Sequence, residues 1–224
     1  MKQGYFLPLT PYSLLPTYWE SGSIMRENFV NFMQNELNSD TLLIACGLPA
    51  SYKTETTEVI SELKGFEILR TDLIRLEVLK NEDIFDEKVA SNMGKRELVY
   101  DEMFLMADAL AGKGEGIILD ATFITQSLRK RAAKVAAKHS KNFVIQETQC
   151  PKEVSLRRIS ERTKEHYESN ALTEQAYLNN KKKFQSVNLH KLKSLYPSLR
   201  IMHLIVDTTS DLTDEWFVIG KETR

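Results

Sequence analysis

The sequence predicts an α/β fold: a doubly wound, parallel five-stranded sheet with helices on both faces. Three observations carry that expectation. Short, almost wholly apolar runs recur along the chain, longer stretches with helical spacing separate them, and glycine or proline marks most of the joins. Runs that are apolar throughout fit strands buried on both faces, which a parallel sheet between two helical layers requires.

Taken in order, Thr41 to Cys46 (TLLIAC) reads as the first buried strand. A helix from about Thr54 to Lys64 follows, ended by Gly65 in the position that favours a left-handed cap. Phe66 to Leu69 is the second strand, and Met93 to Ala111 a long helix closed by Gly112 and Gly114. Gly116 to Leu119 is the third strand, and Ser127 to His139 an Ala- and Lys-rich helix. Phe143 to Thr148 is the fourth strand, Pro151 opens another helix as a good first-turn residue, and Ile201 to Val206 is the fifth strand.

The first 40 residues follow another pattern. Pro8, Pro11 and Pro16 fall there with Tyr5, Phe6, Tyr12, Tyr18 and Trp19, an irregular aromatic arm rather than a polar linker. Ser23 is expected to cap a helix running to Leu37, with Met25, Phe29, Phe32, Met33 and Leu37 forming a docking face. Asn38-Ser39-Asp40 breaks that pattern.

Composition excludes several classes. The chain has 224 residues, 42% apolar and 27% charged, the balance of a globular protein that can bury a full core. It contains no run of about 18 apolar residues that would span a membrane. The opening residues lack a signal peptide's apolar stretch. Cys46 and Cys150 are two, far apart, and fit free thiols in a reducing cytosol. A cytoplasmic protein is therefore expected.

The first strand ends in Gly47-Leu48-Pro49-Ala50-Ser51-Tyr52-Lys53-Thr54 and a helix follows directly. The phosphate-binding pattern is G-x-x-x-x-G-K-[ST], so Gly47, Lys53 and Thr54 match, while Tyr52 stands where the second glycine belongs. Such a loop aims successive backbone N–H groups at phosphate oxygens, and the helix N-terminus adds its dipole. The lysine bridges the terminal phosphates and the hydroxyl of the last residue binds Mg²⁺. If the turn needs positive φ at position 52, the tyrosine costs on the order of 1–2 kcal/mol.

The second strand runs into Arg70-Thr71-Asp72-Leu73-Ile74-Arg75. Ligands of doubly wound sheets bind at the carboxyl ends of the strands, so Asp72 is placed to deprotonate an acceptor hydroxyl. Arg75, one helical turn on, is placed to clamp an anionic acceptor. The third strand ends in Asp120, where a carboxylate can order Mg²⁺ water or hold the acceptor. Arg158 and Arg162, four residues apart, share a helix face and can neutralise phosphate charge. The polar stretch Glu165 to Asn170 reads as a mobile lid. A plainer reading makes Asp72 and Asp120 helix caps and the arginines a surface pair.

The net charge of -1 hides an uneven distribution. Residues 129–200 hold 17 Lys/Arg against 6 Asp/Glu, a local excess of +11 that can steer an anionic ligand.

Strand–GLPASYKT–helix, RTDLIR, ILDATF, LRRISERTK and VDTTS, in that order, resemble the small P-loop kinases. The nearest group contains polynucleotide 5′-hydroxyl kinase domains, chloramphenicol phosphotransferases and zeta toxins, and the resemblance covers about residues 41–212. It implies a P-loop NTPase-type core over 41–224 with a helical lid around 155–185, and leaves 1–40 as an added arm and helix. It further implies that Gly47, Ala50, Ser51, Tyr52, Lys53 and Thr54 cradle ATP, that Thr54 and Asp120 hold Mg²⁺, and that Asp72 is the general base. Arg75 would contact the acceptor, Arg158 and Arg162 would form the lid clamp, and Asp207 to Ser210 would lie near the adenine. Tyr52 and Ala50 depart from the family's glycines. The acceptor stays open between a polynucleotide 5′-hydroxyl and a small molecule. A degenerate domain that binds nucleotide without catalysis is the alternative of another class.

Overall fold

A computed structural model describes residues 25–84, 89, 92–162 and 173–224. The aromatic arm of residues 1–24, its Ser23 cap and the lid stretch Glu165 to Asn170 lie outside the described residues.

Among the described residues, seven strands form one sheet: β1 (Glu27–Asn28), β2 (Thr41–Gly47), β3 (Glu67–Arg70), β4 (Ile117–Asp120), β5 (Asn142–Gln149), β6 (Ile201–Asp207) and β7 (Phe217–Thr223). Their order is β1-β7-β6-β5-β2-β4-β3. The five expected strands are the parallel ones, β3 to β6 with β2 in the middle. The expected five-stranded sheet is thus corrected to seven. β7 adds antiparallel to β6, and the two-residue β1 adds antiparallel to β7. Phe217 to Thr223 carries no continuous apolar run because only one side of it is packed, and its ladder shifts register between Ile205 and Val206.

The helices are α1 (Phe29–Glu36), α2 (Lys53–Lys64), α3 (Thr71–Val78), α4 (Met93–Ala111), α5 (Gln126–Lys138), α6 (Lys152–Ser160), α7 (Glu174–Lys183) and α8 (Leu189–Leu195). Within the described residues the expected helix through Leu37 is also corrected in extent. Glu27 and Asn28 are held by β7, so the helix begins at Phe29, where the Asn28 side chain accepts from Asn31 N–H.

β2 shows how strand alternation divides the core. Leu42, Ile44 and Cys46 face a layer of α3, α4, α5 and α8, meeting Ile74, Met103, Ala132 and Leu192. Leu43 faces the other layer, with Phe29, Phe32, Ile60 and Trp216. All seven residues of β2 are buried, as a central strand between two layers must be. Because β2 lies between β4 and β5, the chain leaves its carboxyl end where the direction of winding reverses. That is the crevice at which doubly wound sheets bind ligands.

Candidate functional site

The loop from Gly47 to Tyr52 fills that crevice. Gly47 has φ of 149°, and a Cβ there would lie 2.6 Å from Thr148 Oγ1 and 2.7 Å from the Thr148 carbonyl, so only glycine fits. Beyond it, Ala50 (φ 59°) and Tyr52 (φ 55°) both take left-handed conformations without being glycine. Each costs on the order of 1–2 kcal/mol, and such residues persist where their surroundings over-determine them. Here Ser51 Oγ donates to the Leu48 carbonyl at 2.8 Å and meets Thr148 Oγ1 at 2.7 Å. The Thr208 hydroxyl donates to the Ser51 carbonyl at 3.0 Å.

α2 begins at Lys53, so its unpaired N–H groups open towards the loop. Lys53 Nζ donates to the Leu48 carbonyl at 2.7 Å, folded over the loop. Burial holds this ammonium below its ordinary value; Asp120 and Glu55 pull it back up, and Arg162 pushes it down. Thr54 Oγ1 donates to Asp120 Oδ2 at 2.9 Å, and Arg70 Nε donates to the same oxygen at 3.1 Å. Arg70 also pairs with Glu58 at 2.8 Å. Asp120 is 4% exposed.

Asp72 sits in the first turn of α3 and accepts from Arg75 Nη1 at 2.5 Å. Burial raises its carboxyl above the ordinary carboxylate value, Arg75 lowers it part of the way, Asp120 pushes up and Lys53 pulls down. Asp72, Asp120, Lys53, Thr54 and Arg75 therefore belong to one electrostatic neighbourhood at the carboxyl ends of β2, β3 and β4, within which the Arg162 charge also acts on Lys53. Asp72 is not the α3 cap, since Arg70 occupies that position.

Arg158, expected to share a lid clamp with Arg162, bonds instead to the loop and to residues 208–211. It is 5% exposed, and its guanidinium donates to the carbonyls of Ala50 (3.2 Å), Thr208 (2.8 Å), Thr209 (3.1 Å) and Ser210 (3.1 Å), and to Asp211 Oδ1 (2.9 Å). With Nε, Nη1 and Nη2 each bonded to protein oxygens, it ties the loop to residues 208–211. Tyr52 joins it there. Its hydroxyl donates to Asp211 Oδ1 at 2.8 Å, its ring centroid is 5.6 Å from that of Trp216, and Arg158 Cζ stands 3.6 Å over its face. Burial and the Asp211 hydrogen bond push the Tyr52 phenol up to about 12. Hydrogen bonds from Tyr52, Arg157 and Arg158 hold Asp211 down at about 2.

Sequence reasoning missed Arg70, Glu58, Asp211 and Trp216. Arg70 lies within the RTDLIR run, and its position at a strand end is a usable signal. The others act through contacts far apart in sequence and have no local signature. Cys46 and Cys150 are free, and burial raises the Cys46 thiol to about 11, which makes it inert.

A central strand, a phosphate loop at its carboxyl end and a Thr–Asp pair beside it define a P-loop protein with the fold of the small P-loop kinases. The chain belongs to the AAA domain family, whose profile matches residues 42–187. It is similar in structure to a sugar kinase from Janibacter sp. HTCC2649, with a TM-score of 0.53 and 16% identity over 76% of this chain and 86% of that one. A gluconokinase from Sinorhizobium meliloti 1021 gives a TM-score of 0.52 and 14% identity over 78% of this chain and 86% of that one. A chain of the AvrRxo1-ORF1:-ORF2 complex with ATP gives 0.57 and 16% identity over 87% of this chain. The present chain spans 61% of that one. At such identities the likeness is one of fold. No curated protein matches the chain. Among the described residues no helix is long and apolar enough to cross a membrane.

Proposed function

We propose that the protein is an ATP-dependent phosphotransferase that moves the γ-phosphoryl group to a hydroxyl acceptor. The observation that carries this is the convergence of Lys53, the Thr54–Asp120 pair and the Asp72–Arg75 pair on one crevice.

The donor set fits Mg²⁺. One hydroxyl and one buried carboxylate in mutual contact suit an ion that keeps several waters and takes its other ligands from phosphate. Thr54 and Asp120 would hold it, and it would supply charge neutralisation at the β- and γ-phosphate oxygens. The loop N–H groups and the α2 N-terminus receive the phosphates, and Lys53 leaves the Leu48 carbonyl to neutralise their charge. Arg162 adds a second cation and Arg75 orients the acceptor. Asp72, its carboxyl tuned upward by burial, takes the hydroxyl proton as the acceptor oxygen bonds to the γ-phosphorus and the bond to the β-phosphate oxygen breaks. Gly47, Ala50, Ser51 and Tyr52 shape the loop.

For the acceptor, the exposed Lys181, Lys182 and Lys183 at the end of α7 support a polynucleotide 5′-hydroxyl, with small-molecule alcohols as the competing class. The test is transfer from γ-labelled ATP with Mg²⁺ to 5′-hydroxyl RNA, 5′-hydroxyl DNA and a small-molecule panel, with Lys53→Ala and Asp72→Asn as controls. Transfer that survives both substitutions overturns the assignment. ATP binding without transfer to any acceptor assigns the chain to nucleotide binding without catalysis.

A further inference from the structure

The departure of this loop from its sequence pattern has a physical counterpart. Where the pattern has a glycine, Tyr52 takes the left-handed turn and sends its ring to the back of the loop. There it packs beneath Arg158, beside Trp216, and hydrogen-bonds Asp211. Arg158 ties the same assembly to the Ala50 carbonyl, the other left-handed residue of the loop. Asp211 also accepts from Arg157 Nη2 at 2.7 Å, and Trp216 Nε1 donates to the Ser210 carbonyl at 2.9 Å. Trp216 in turn meets Phe29 of α1 edge to face, with ring centroids 5.8 Å apart. The loop thus has an outside frame running from α6 through residues 208–216 to α1.

We propose that Tyr52 is a positioning residue for the phosphate donor: with Arg158, Asp211 and Trp216 it holds the loop in its receiving conformation, so that a side-chain brace replaces the conformational freedom of the glycine. The inference rests on the donor reading above. Glycine at position 52 would relieve the backbone but release the loop, and a ligand that needs one conformation binds more weakly in proportion to the population lost. A fall of the competent population to about a tenth raises the apparent Kd about tenfold. The chemical step, once ATP is seated, is left alone, because none of the four side chains is drawn from the Asp72 side.

The experiment compares wild type, Tyr52→Gly, Tyr52→Phe and Asp211→Ala in the full chain. Three readouts apply: ATP·Mg²⁺ affinity by calorimetry, the split between KM for ATP and kcat in the transfer assay, and amide hydrogen exchange of residues 47–54 without ligand. The expected result is affinity weakened about tenfold in Tyr52→Gly and Asp211→Ala. Tyr52→Phe should be intermediate because it keeps the ring contacts. KM for ATP should rise while kcat at saturation holds, with faster exchange in the loop. Equal or tighter ATP binding by Tyr52→Gly with unchanged exchange overturns the proposal. If that variant does not fold, Tyr52→Phe and Asp211→Ala decide, and wild-type affinity and exchange in both overturn it. If wild type binds no ATP, the donor reading fails by itself, and loop exchange in the variants still tests the brace.

Discussion

On the side of the crevice proposed for the phosphate donor, the turns of the loop have something behind them. Gly47 is closed in by Thr148, Ser51 is held from both ends, and Tyr52 and Ala50 are braced through Arg158 and Asp211. On the side proposed for the acceptor, the described residues place the Asp72–Arg75 ion pair on the first turn of α3, with Leu73 (56% exposed) and Leu76 (38% exposed) beside it. The contrast fits the ligands proposed for the two sides. A triphosphate presents the same oxygens each time and can be met by backbone, whereas an acceptor is recognised by side chains that can change without disturbing the core.

The sharpest way to separate the halves is Asp72→Asn. It removes the proton acceptor and leaves the loop intact, so kcat should fall on the order of 10²–10⁴-fold while ATP affinity is unchanged. Loss of ATP binding would mean the halves are not separable. In wild type the burial-raised carboxyl predicts an acid limb of the rate profile above the ordinary 3.8. Below that raised pKa the group already holds a proton and cannot take another. A profile flat through that range would remove Asp72 from the base role.

Lys53→Ala attacks the donor half. Lost charge neutralisation should weaken turnover on the order of 10²–10³-fold. Stability should move the other way. Burial depresses the Lys53 pKa, so the charged form is disfavoured in the folded chain, most fully at pH values below the lowered folded pKa. Removing it should leave the melting temperature at pH 7 unchanged or higher. A clear fall would show that the Leu48 hydrogen bond outweighs the cost of burying the charge.

Arg70→Ala probes the support behind the Thr54–Asp120 pair. Outer partners of metal-binding groups typically contribute 10–100-fold, so the Mg²⁺ concentration for half-maximal rate should rise on the order of tenfold. Unchanged Mg²⁺ dependence would restrict Arg70 to bridging Glu58 and the strand end.

How much of this was legible follows the same division. Gly47 and Asp120 end apolar strands, Lys53, Thr54 and Asp72 open the helices that follow, and both kinds of boundary can be read from local pattern alone. The brace could not be read that way. Arg158 looks like the twin of Arg162 at helical spacing, and only its tertiary contact with residues 208–211 shows what it holds. Tyr52 looks like a defect until Trp216 and Asp211, more than 150 positions on, are placed beside it. β7 was missed for a related reason. It is half-exposed, so burial never imposed on it the continuous apolar run that marks β2.

The smallest expected effect tests the acceptor half without touching the donor. If the acceptor is a polynucleotide, Lys181, Lys182 and Lys183 contact backbone phosphates and release counterions, and each lost contact should reduce the slope of log affinity against log salt by about 0.7 for a single strand. The triple alanine variant should therefore weaken polynucleotide binding most at low salt and flatten its salt dependence. ATP affinity should not change, because these side chains are exposed at the far end of α7 and take no part in the frame around Tyr52. An unaltered salt slope with intact turnover would leave a neutral or small acceptor as the one that matches the open, leucine-bordered side of the crevice. Equal loss of ATP affinity would show instead that α7 moves with the phosphate loop through Tyr177, which packs on Ala50, and the two halves would then be one mechanical unit.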